Sequence, residues 1–304
     1  MTTEQKAMYK EQFKQAFTSF IADITNEVSC ADGQWTIKGF IDIYKNVFTI
    51  SSDTKIVSKI LEIHLYPSII KFAQENGYMI KLAEKQNYYP DLTFIKEDNH
   101  EIRFAVDIKT TFKRPGDRVA FTLGSHGAYF QQRESTKNIQ FPYSTYIGHY
   151  CLGVVYTKAI GNDDEEESDL SEISVINVED LHREGGQSDP SGRVTIPKPN
   201  LQSITSVIKD FDFFFAEKWK IASDSQGSGN TANIGSVSNL YQIKEEKGVF
   251  HKLGEEIFDE YWINYGKVSI VEAGITKQVT SIKDYMKFKN RPDLIDQIGD
   301  GAKR

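Results

Sequence analysis

Cysteine is nearly absent: Cys30 and Cys151 are the two in a chain of 304 residues. That is too few for a disulfide framework or a four-ligand structural zinc site, so a reducing cytoplasm is the expected compartment. Long apolar runs are missing too, and none approaches the roughly 20 residues a membrane span requires. The segment from Met1 to Gln15 is polar and charged and lacks the apolar stretch of a secretion signal. There is no internal repeat. Glycines cluster late in the chain, but the Gly-Lys-Ser/Thr signature of a phosphate-cradling loop does not accompany them.

What is present is ordinary globular material: 39% hydrophobic and 26% charged residues, enough at this length to bury a full core. The net charge of −7 looks unsuited to a nucleic-acid partner, but seven acids between Asp163 and Glu172 account for all of it. The rest of the chain is balanced, and affinity for a polyanion depends on where the bases sit. The acidic stretch 161–172 reads as a solvated loop, as does the Gly/Ser/Asp/Pro-rich stretch 184–200. The tail from Lys283 to Arg304 carries six bases against four acids, a mild excess.

Periodicity supplies the elements. Gln5 to Ile24 puts Phe13, Phe17, Phe20, Ile21 and Ile24 on one helical face. A second helix starts at the capping pair Ser52-Asp53, runs through Ile56, Ile60, Ile63 and Ile70 with a bend at Pro67, and ends before Gly77. Strands are expected at Tyr78–Leu82, Leu92–Lys96, Glu101–Lys109 and Val119–Leu123, with a doubly buried strand at Tyr146–Thr157. A late helix, Glu255 to Tyr265, aligns Phe258, Tyr261, Trp262 and Tyr265, a stripe that reads as core packing.

Two features carry chemistry. Fifteen residues separate Asp91, in Tyr89-Pro90-Asp91, from Asp107, and Lys109 follows two positions later. Two carboxylates can hold a divalent ion against a phosphate, while a neighbouring cation handles the attacking water and the growing negative charge. The polar run Glu97-Asp98-Asn99-His100 suits a hairpin turn; centred on Asn99, it sets Asp91 opposite Asp107. Alternation then puts Lys109 on the face of Asp107, and opposed Cβ atoms lie about 4.5–5.5 Å apart. A plain surface hairpin with an Asp–Lys pair is the competing reading. Glu62, inside Ile60-Leu61-Glu62-Ile63, is either a third carboxylate near the pair or an edge glutamate reaching for solvent. The second feature is Gln226-Gly227-Ser228-Gly229-Asn230-Thr231-Ala232-Asn233-Ile234-Gly235-Ser236. Glycines let a backbone approach base edges, asparagine pairs bidentately with adenine, and threonine methyls touch thymine, so the run suits a DNA major groove as well as a plain surface loop.

Both features fall into one family. The chain resembles the EcoRV-type restriction endonucleases of the PD-(D/E)XK nuclease superfamily. The resemblance is carried by Ser52-Asp53-Thr54-Lys55, Gln86-Asn87 before Tyr89-Pro90-Asp91, Asp107-Ile108-Lys109-Thr110-Thr111 and Phe121-Thr122-Leu123-Gly124. It continues in Thr136-Lys137-Asn138-Ile139, Gly227-Ser228-Gly229-Asn230-Thr231, Asn233-Ile234-Gly235-Ser236 and Asp259-Glu260-Tyr261-Trp262. It implies an α/β fold: a restriction-endonuclease-like core with a mixed central β-sheet flanked by helices, plus a DNA-recognition subdomain. The expected division is an N-terminal helix and dimerisation-type segment at 1–50, the catalytic and recognition core at 51–265, and a helical tail at 266–304.

By position, the resemblance makes Asp91, Asp107 and the auxiliary Glu62 ligands of Mg2+, and Lys109 the residue that positions or activates water. Gly227, Ser228, Gly229, Asn230 and Thr231 become the recognition loop, with the two glycines on guanine, Asn230 on adenine and Thr231 on a thymine methyl. Gln86 and Asn87 would lie in the minor groove. Thr54, Lys55, Ser58, Thr111, Lys137 and Asn233 would contact or support the DNA backbone. The implied activity is magnesium-dependent cleavage of double-stranded DNA by a homodimer at GATATC, with blunt ends, beside a cognate DNA methyltransferase in the same cell. A non-catalytic sequence-specific binder, or a junction or repair nuclease of the same fold, are the alternatives. The chain departs from the family pattern at Tyr88, where a histidine is usual, and at Ala232, where a threonine is usual. It is one residue shorter between Lys109 and Thr122 and longer before Lys137. The acidic insert and the N-terminal helix have no clear counterpart.

Overall fold

A computed structural model describes residues 1–85, 87–159, 174–177, 201–227 and 232–302. In chain order, α1 (Thr3–Val28) precedes β1 (Phe40–Ile41), β2 (Asn46–Phe48) and α2 (Thr54–Glu75). Then come β3 (Tyr78–Leu82), β4 (Leu92–Lys96), β5 (Arg103–Phe112), β6 (Thr122–Ser125), α3 (Ala128–Gln131) and β7 (Gly148–Lys158). After β8 (Val175–Asn177) follow β9 (Ile208–Glu217), α4 (Lys218–Ile221), β10 (Ala222–Gln226) and β11 (Asn233–Ser236). The chain closes with α5 (Leu240–Lys244), α6 (Glu255–Asn264), β12 (Ser269–Glu272), β13 (Ile275–Gln278) and α7 (Ile282–Phe288). A five-stranded mixed sheet of order β3-β4-β5-β7-β9 is the largest, and helices accompany it in the sequence on either side. The expected α/β architecture is therefore present.

The chain forms two compact units: Met1–Ala22 with Tyr66–Val155 and Phe213–Arg304, and Asp23–Leu65 with Tyr156–Asp212. In the first, Phe13 and Phe17 are one helical turn apart and enter an aromatic core. Phe13 stacks on Phe104 at 4.1 Å and Phe17 on Phe215 at 4.1 Å, with Phe72, Phe94 and Tyr150 around them. Burial of each such ring is worth about 1.5–3 kcal/mol, which is what docks an otherwise polar helix. A three-stranded sheet, β10-β11-β6, sits in the same unit. In the second unit, Trp35 is fully buried and donates its indole N–H to His64 Nδ1 at 3.2 Å, while β1-β2-β8 form a small sheet.

Several boundaries moved for local reasons. The strand expected from Glu101 starts at Arg103, because Asn99 takes the two preceding residues into its turn. Its side chain accepts the Glu101 N–H at 3.1 Å and its carbonyl accepts the Ile102 N–H at 3.0 Å. The strand expected at Val119–Leu123 begins at Thr122, since Val119 donates instead to the Ser238 carbonyl at 2.8 Å. In α2, Asp53 caps the N-terminus by accepting from Lys55 and Ile56 at 2.8 and 3.1 Å. Its inward face is Val57, Leu61, Leu65 and Ile69, whereas Ile56, Ile63 and Ile70 are exposed. Residues 266–304 hold the β12–β13 hairpin as well as helix.

Candidate active site

The turn at Asn99 sets the register. Leu92 pairs with Val106, Thr93 with Ala105 and Phe94 with Phe104, so one step beyond the last pair Asp91 stands opposite Asp107. The backbone leading to Asp91 is gripped from a distant segment: Tyr89 donates to the Asn138 carbonyl at 3.1 Å and accepts from Gln140 at 2.9 Å. The Gln140 side-chain amide donates to the Pro90 carbonyl at 2.6 Å, and the Asp91 carbonyl accepts from Ala83 at 3.0 Å. Asp91 Oδ2 accepts the Ile108 N–H at 2.7 Å, which turns its carboxyl toward β5. There Lys109 Nζ lies 2.5 Å from Asp107 Oδ2. Asp91, Asp107 and Lys109 are thus brought together.

Their electrostatics are strained. Burial, and then the negative charge of Asp107, push the Asp91 carboxyl well above the usual carboxylate range. Burial also works against charge on Asp107, but Lys109 overrides it and holds Asp107 below that range. Burial opposes the charge of Lys109 in turn, and the two carboxylates override it and raise its ammonium. Two opposed carboxyl groups with hard oxygen donors fit a divalent cation of the magnesium type, which takes one or two carboxylates and completes its shell with water or phosphate. Among the described residues, no group of three His, Cys, Asp or Glu side chains gathers as a metal cluster. Glu62 belongs to the second unit, on α2, and is ion-paired with Lys59 at 2.9 Å.

Sequence reasoning missed Lys218. It is 4% exposed, its Nζ has no hydrogen-bond partner among the described residues, and it faces the rings of Tyr89, Phe130 and Tyr143 at 5.1, 5.4 and 5.8 Å. Burial lowers its pKa to about 8, against the pull of Asp107, whose charge it helps to offset. A signal existed: a lysine directly after the apolar run Phe213-Phe214-Phe215-Ala216 and Glu217 is out of place unless the strand's end is functional or ion-paired.

Of the residues the resemblance assigns to DNA, Thr111 lies two positions past Lys109 along β5 and so shares its face. Lys137 and Asn87 are exposed in the same unit. Gly227, the first residue of the expected recognition loop, donates its N–H to the carbonyl of Asn233, just past that loop, at 3.0 Å. A Cβ on Gly227 would come 2.6 Å from Thr122 Cγ2, so a side chain there would require Thr122 to move. Thr54, Lys55 and Ser58 lie on the first turns of α2 in the second unit, with the Ser58 hydroxyl donating to the Thr54 carbonyl at 2.5 Å. Gln86, Ser228, Gly229, Asn230 and Thr231 lie outside the described residues, as do the stretches 161–172 and 184–200.

Comparison with known proteins identifies the family. The family model for restriction endonuclease EcoRV matches residues 31–183 and 187–290, beginning past α1. The type II restriction enzyme EcoRV of Escherichia coli is 33% identical over 253 residues, covering 83% of this chain and 91% of that protein. An acid–acid–lysine corner on a mixed sheet and a match of this extent have one reading: the chain belongs to the EcoRV family of type II restriction endonucleases, and is a site-specific deoxyribonuclease.

Proposed function

We propose that this enzyme cuts both strands of GATATC at the central TA step, as a homodimer and with Mg2+. The observation that carries the catalytic part is the placement of Asp91 opposite Asp107, with Lys109 against Asp107 at 2.5 Å. Asp91 and Asp107 would hold the cation. When bound, it supplies Lewis-acid polarisation of the phosphoryl oxygen and a more acidic water. Lys109, buried and kept charged, offers its ammonium to the negative charge that builds on the phosphate as water attacks in line. Departure of the 3′-oxygen leaves a 3′-hydroxyl and a 5′-phosphate. The choice of sequence rests on the run Gly227-Ser228-Gly229-Asn230-Thr231, whose residue types match guanine, adenine and thymine edges. The pyrimidine–purine step at the centre is the easiest to kink, which would bring phosphate and carboxylates together.

A palindrome calls for a two-fold protein. In the second unit, Phe40, Ile41, Ile43 and Tyr44 are 54%, 66%, 88% and 73% exposed, and β1 is the edge strand of its sheet. An apolar edge of this kind supports a second copy of the chain as its occupant. Any copy of that hexamer in the host's own DNA would be cut unless protected, so a methyltransferase of matching specificity belongs in the same cell. Digestion of a plasmid with one GATATC site, with and without Mg2+, followed by sequencing of the ends, tests the reading. Blunt ends at TA, only with Mg2+, are expected; cuts elsewhere, or cutting indifferent to Mg2+, would overturn it. Sedimentation equilibrium should give twice the chain mass, and Ile43→Asp should shift it toward the single chain.

A further inference from the structure

The residue that holds the base of the 227–231 loop is not part of the loop. β10 leads into it and β11 leads out, while β6 pairs with β11. Just past the end of β6, His126 reaches both stems. Its backbone N–H donates to the Ala232 carbonyl at 2.9 Å, on the outgoing side. On the incoming side, the Gln226 side-chain amide donates to His126 Nε2 at 2.7 Å. One residue therefore links the two positions that border 227–231, across 100 residues of sequence.

The ring is set firmly. It is 6% exposed and packs against Trp262 of α6 and Tyr265 just after it, at 5.1 and 5.4 Å between centroids. Elsewhere the stems have no slack: a Cβ on Gly227 would meet Thr122 Cγ2 at 2.6 Å, and one on Gly235 would meet the Ser225 carbonyl at 2.6 Å. Gln226 itself is exposed, so the contact with His126 is what restrains its unbranched side chain.

The contact works in one direction. With the Gln226 –NH2 facing it, Nε2 accepts and the ring is neutral, its proton on Nδ1, which has no hydrogen-bond partner among the described residues. Burial, and the positive charge of Lys267, favour that neutral form. The titratable groups facing the ring are Tyr265 and Lys267, and neither is an acid that would stabilise the imidazolium. Protonating Nε2 turns the acceptor into a donor and sets donor against donor unless the Gln226 amide turns over.

We propose that His126 is a positioning residue for sequence readout: by clamping Gln226 and Ala232 it sets how residues 227–231 meet the base edges, and so governs discrimination between the cognate palindrome and sites differing by one base pair. This rests on the reading of the enzyme as a palindrome-cutting nuclease. A residue of this role acts on the ratio of kcat/KM values for right and wrong sites more than on cutting of the right one.

The test measures that ratio on plasmids carrying GATATC or a single-base variant, with Mg2+, for the wild type, His126→Phe and His126→Gln. His126→Phe keeps a ring against Trp262 and Tyr265 but removes the acceptor, and should lower the ratio at least tenfold with cognate kcat within threefold. His126→Gln can accept through Oε1 and should restore most of the ratio. Lowering the pH should erode the wild-type ratio but leave that of His126→Gln flat; effects common to both substrates, such as those at the carboxylates, cancel. An unchanged ratio in His126→Phe, or equal erosion by acid in the wild type and His126→Gln, overturns the inference. If His126→Phe does not fold, the pH profiles of the other two decide. If the wild type cuts another palindrome, the ratio is measured on that one. A wild type that cuts no DNA refutes the proposed function itself, and the role of His126 with it.

Discussion

Glu217 and Asp107 are buried carboxylates of the same unit, yet the order of charges around them differs. Glu217 lies between two lysines, Lys10 at 2.8 Å and Lys220 at 2.6 Å. Lys10 continues to Glu255 at 2.9 Å, Lys220 to Glu246 at 3.4 Å, and Glu246 to Lys14, so sign alternates throughout. Burial alone would raise the Glu217 carboxyl; the lysines reverse it and hold it at about 2. Asp107 instead has a carboxyl as its opposite neighbour, and burial, then the charge of Asp107, raise the pKa of Asp91. The first cluster ties α1 to the end of β9 and the turn after α5. The second gains nothing for folding from its like charges, and a buried like-charge pair of that kind is the arrangement a functional site uses to shift its carboxyl groups.

The comparison can be broken by exchanging the consequences. The largest effect is expected from Asp107→Ala: cleavage of supercoiled plasmid should fall by roughly 10³-fold or more, with only a modest fall in thermal midpoint by circular dichroism from loss of the Lys109 pair. A melting temperature that fell sharply would make the corner a structural ion cluster like the other. Glu217→Gln should do the reverse, costing about 3 kcal/mol in urea denaturation at neutral pH while plasmid cutting below the transition stays near wild type. The sign is fixed by the depressed pKa of Glu217. Its contribution is complete above the ordinary glutamate value, is lost as pH falls toward about 2, and should be missing from the acid limb of the variant.

Asp91→Asn sharpens the contrast, since it removes repulsion and can keep the hydrogen bond from Ile108. It should stabilise the fold by about 1 kcal/mol while abolishing Mg2+-dependent cutting; a loss of stability would mean that the pair is not frustrated. In the wild type, the raised carboxyl lets protons compete with the cation at pH values where ordinary carboxylates are fully ionised. Cutting should weaken on mild acidification and recover with added Mg2+; failure to recover would place the titration elsewhere. The smallest effect belongs to Lys59→Ala, which breaks the solvent-exposed pair with Glu62 and should change stability by less than about 0.5 kcal/mol. A clear loss of cutting in that variant would instead tie Glu62 to the reaction.

How much was legible follows from the range of each interaction. Asp91 and Asp107 could be set opposite each other from the chain alone, because Asn99 turns it within a few residues and strand alternation does the rest. The buried face of α1 was equally plain, since Phe13 and Phe17 repeat with the helix. In α2, Ile56, Ile63 and Ile70 are exposed while Val57, Leu61, Leu65 and Ile69 are buried: apolarity does not say which of several apolar faces meets the core. Lys10 on Glu255 at 245 residues' separation and His126 on Gln226 had no local pattern to betray them, and the odd lysine at 218 did not say what it faces.

By itself, then, the sequence determined the long helices, the strands that carry the acidic pair, the hairpin register and the set of chemical groups, all of which depend on backbone periods and turn residues acting over one or two turns. Only the tertiary structure decided which charges share a buried space and which side chain closes the base of the loop. Burial and Coulomb energy depend on distance in space, and that distance is set by how the sheets and helices pack.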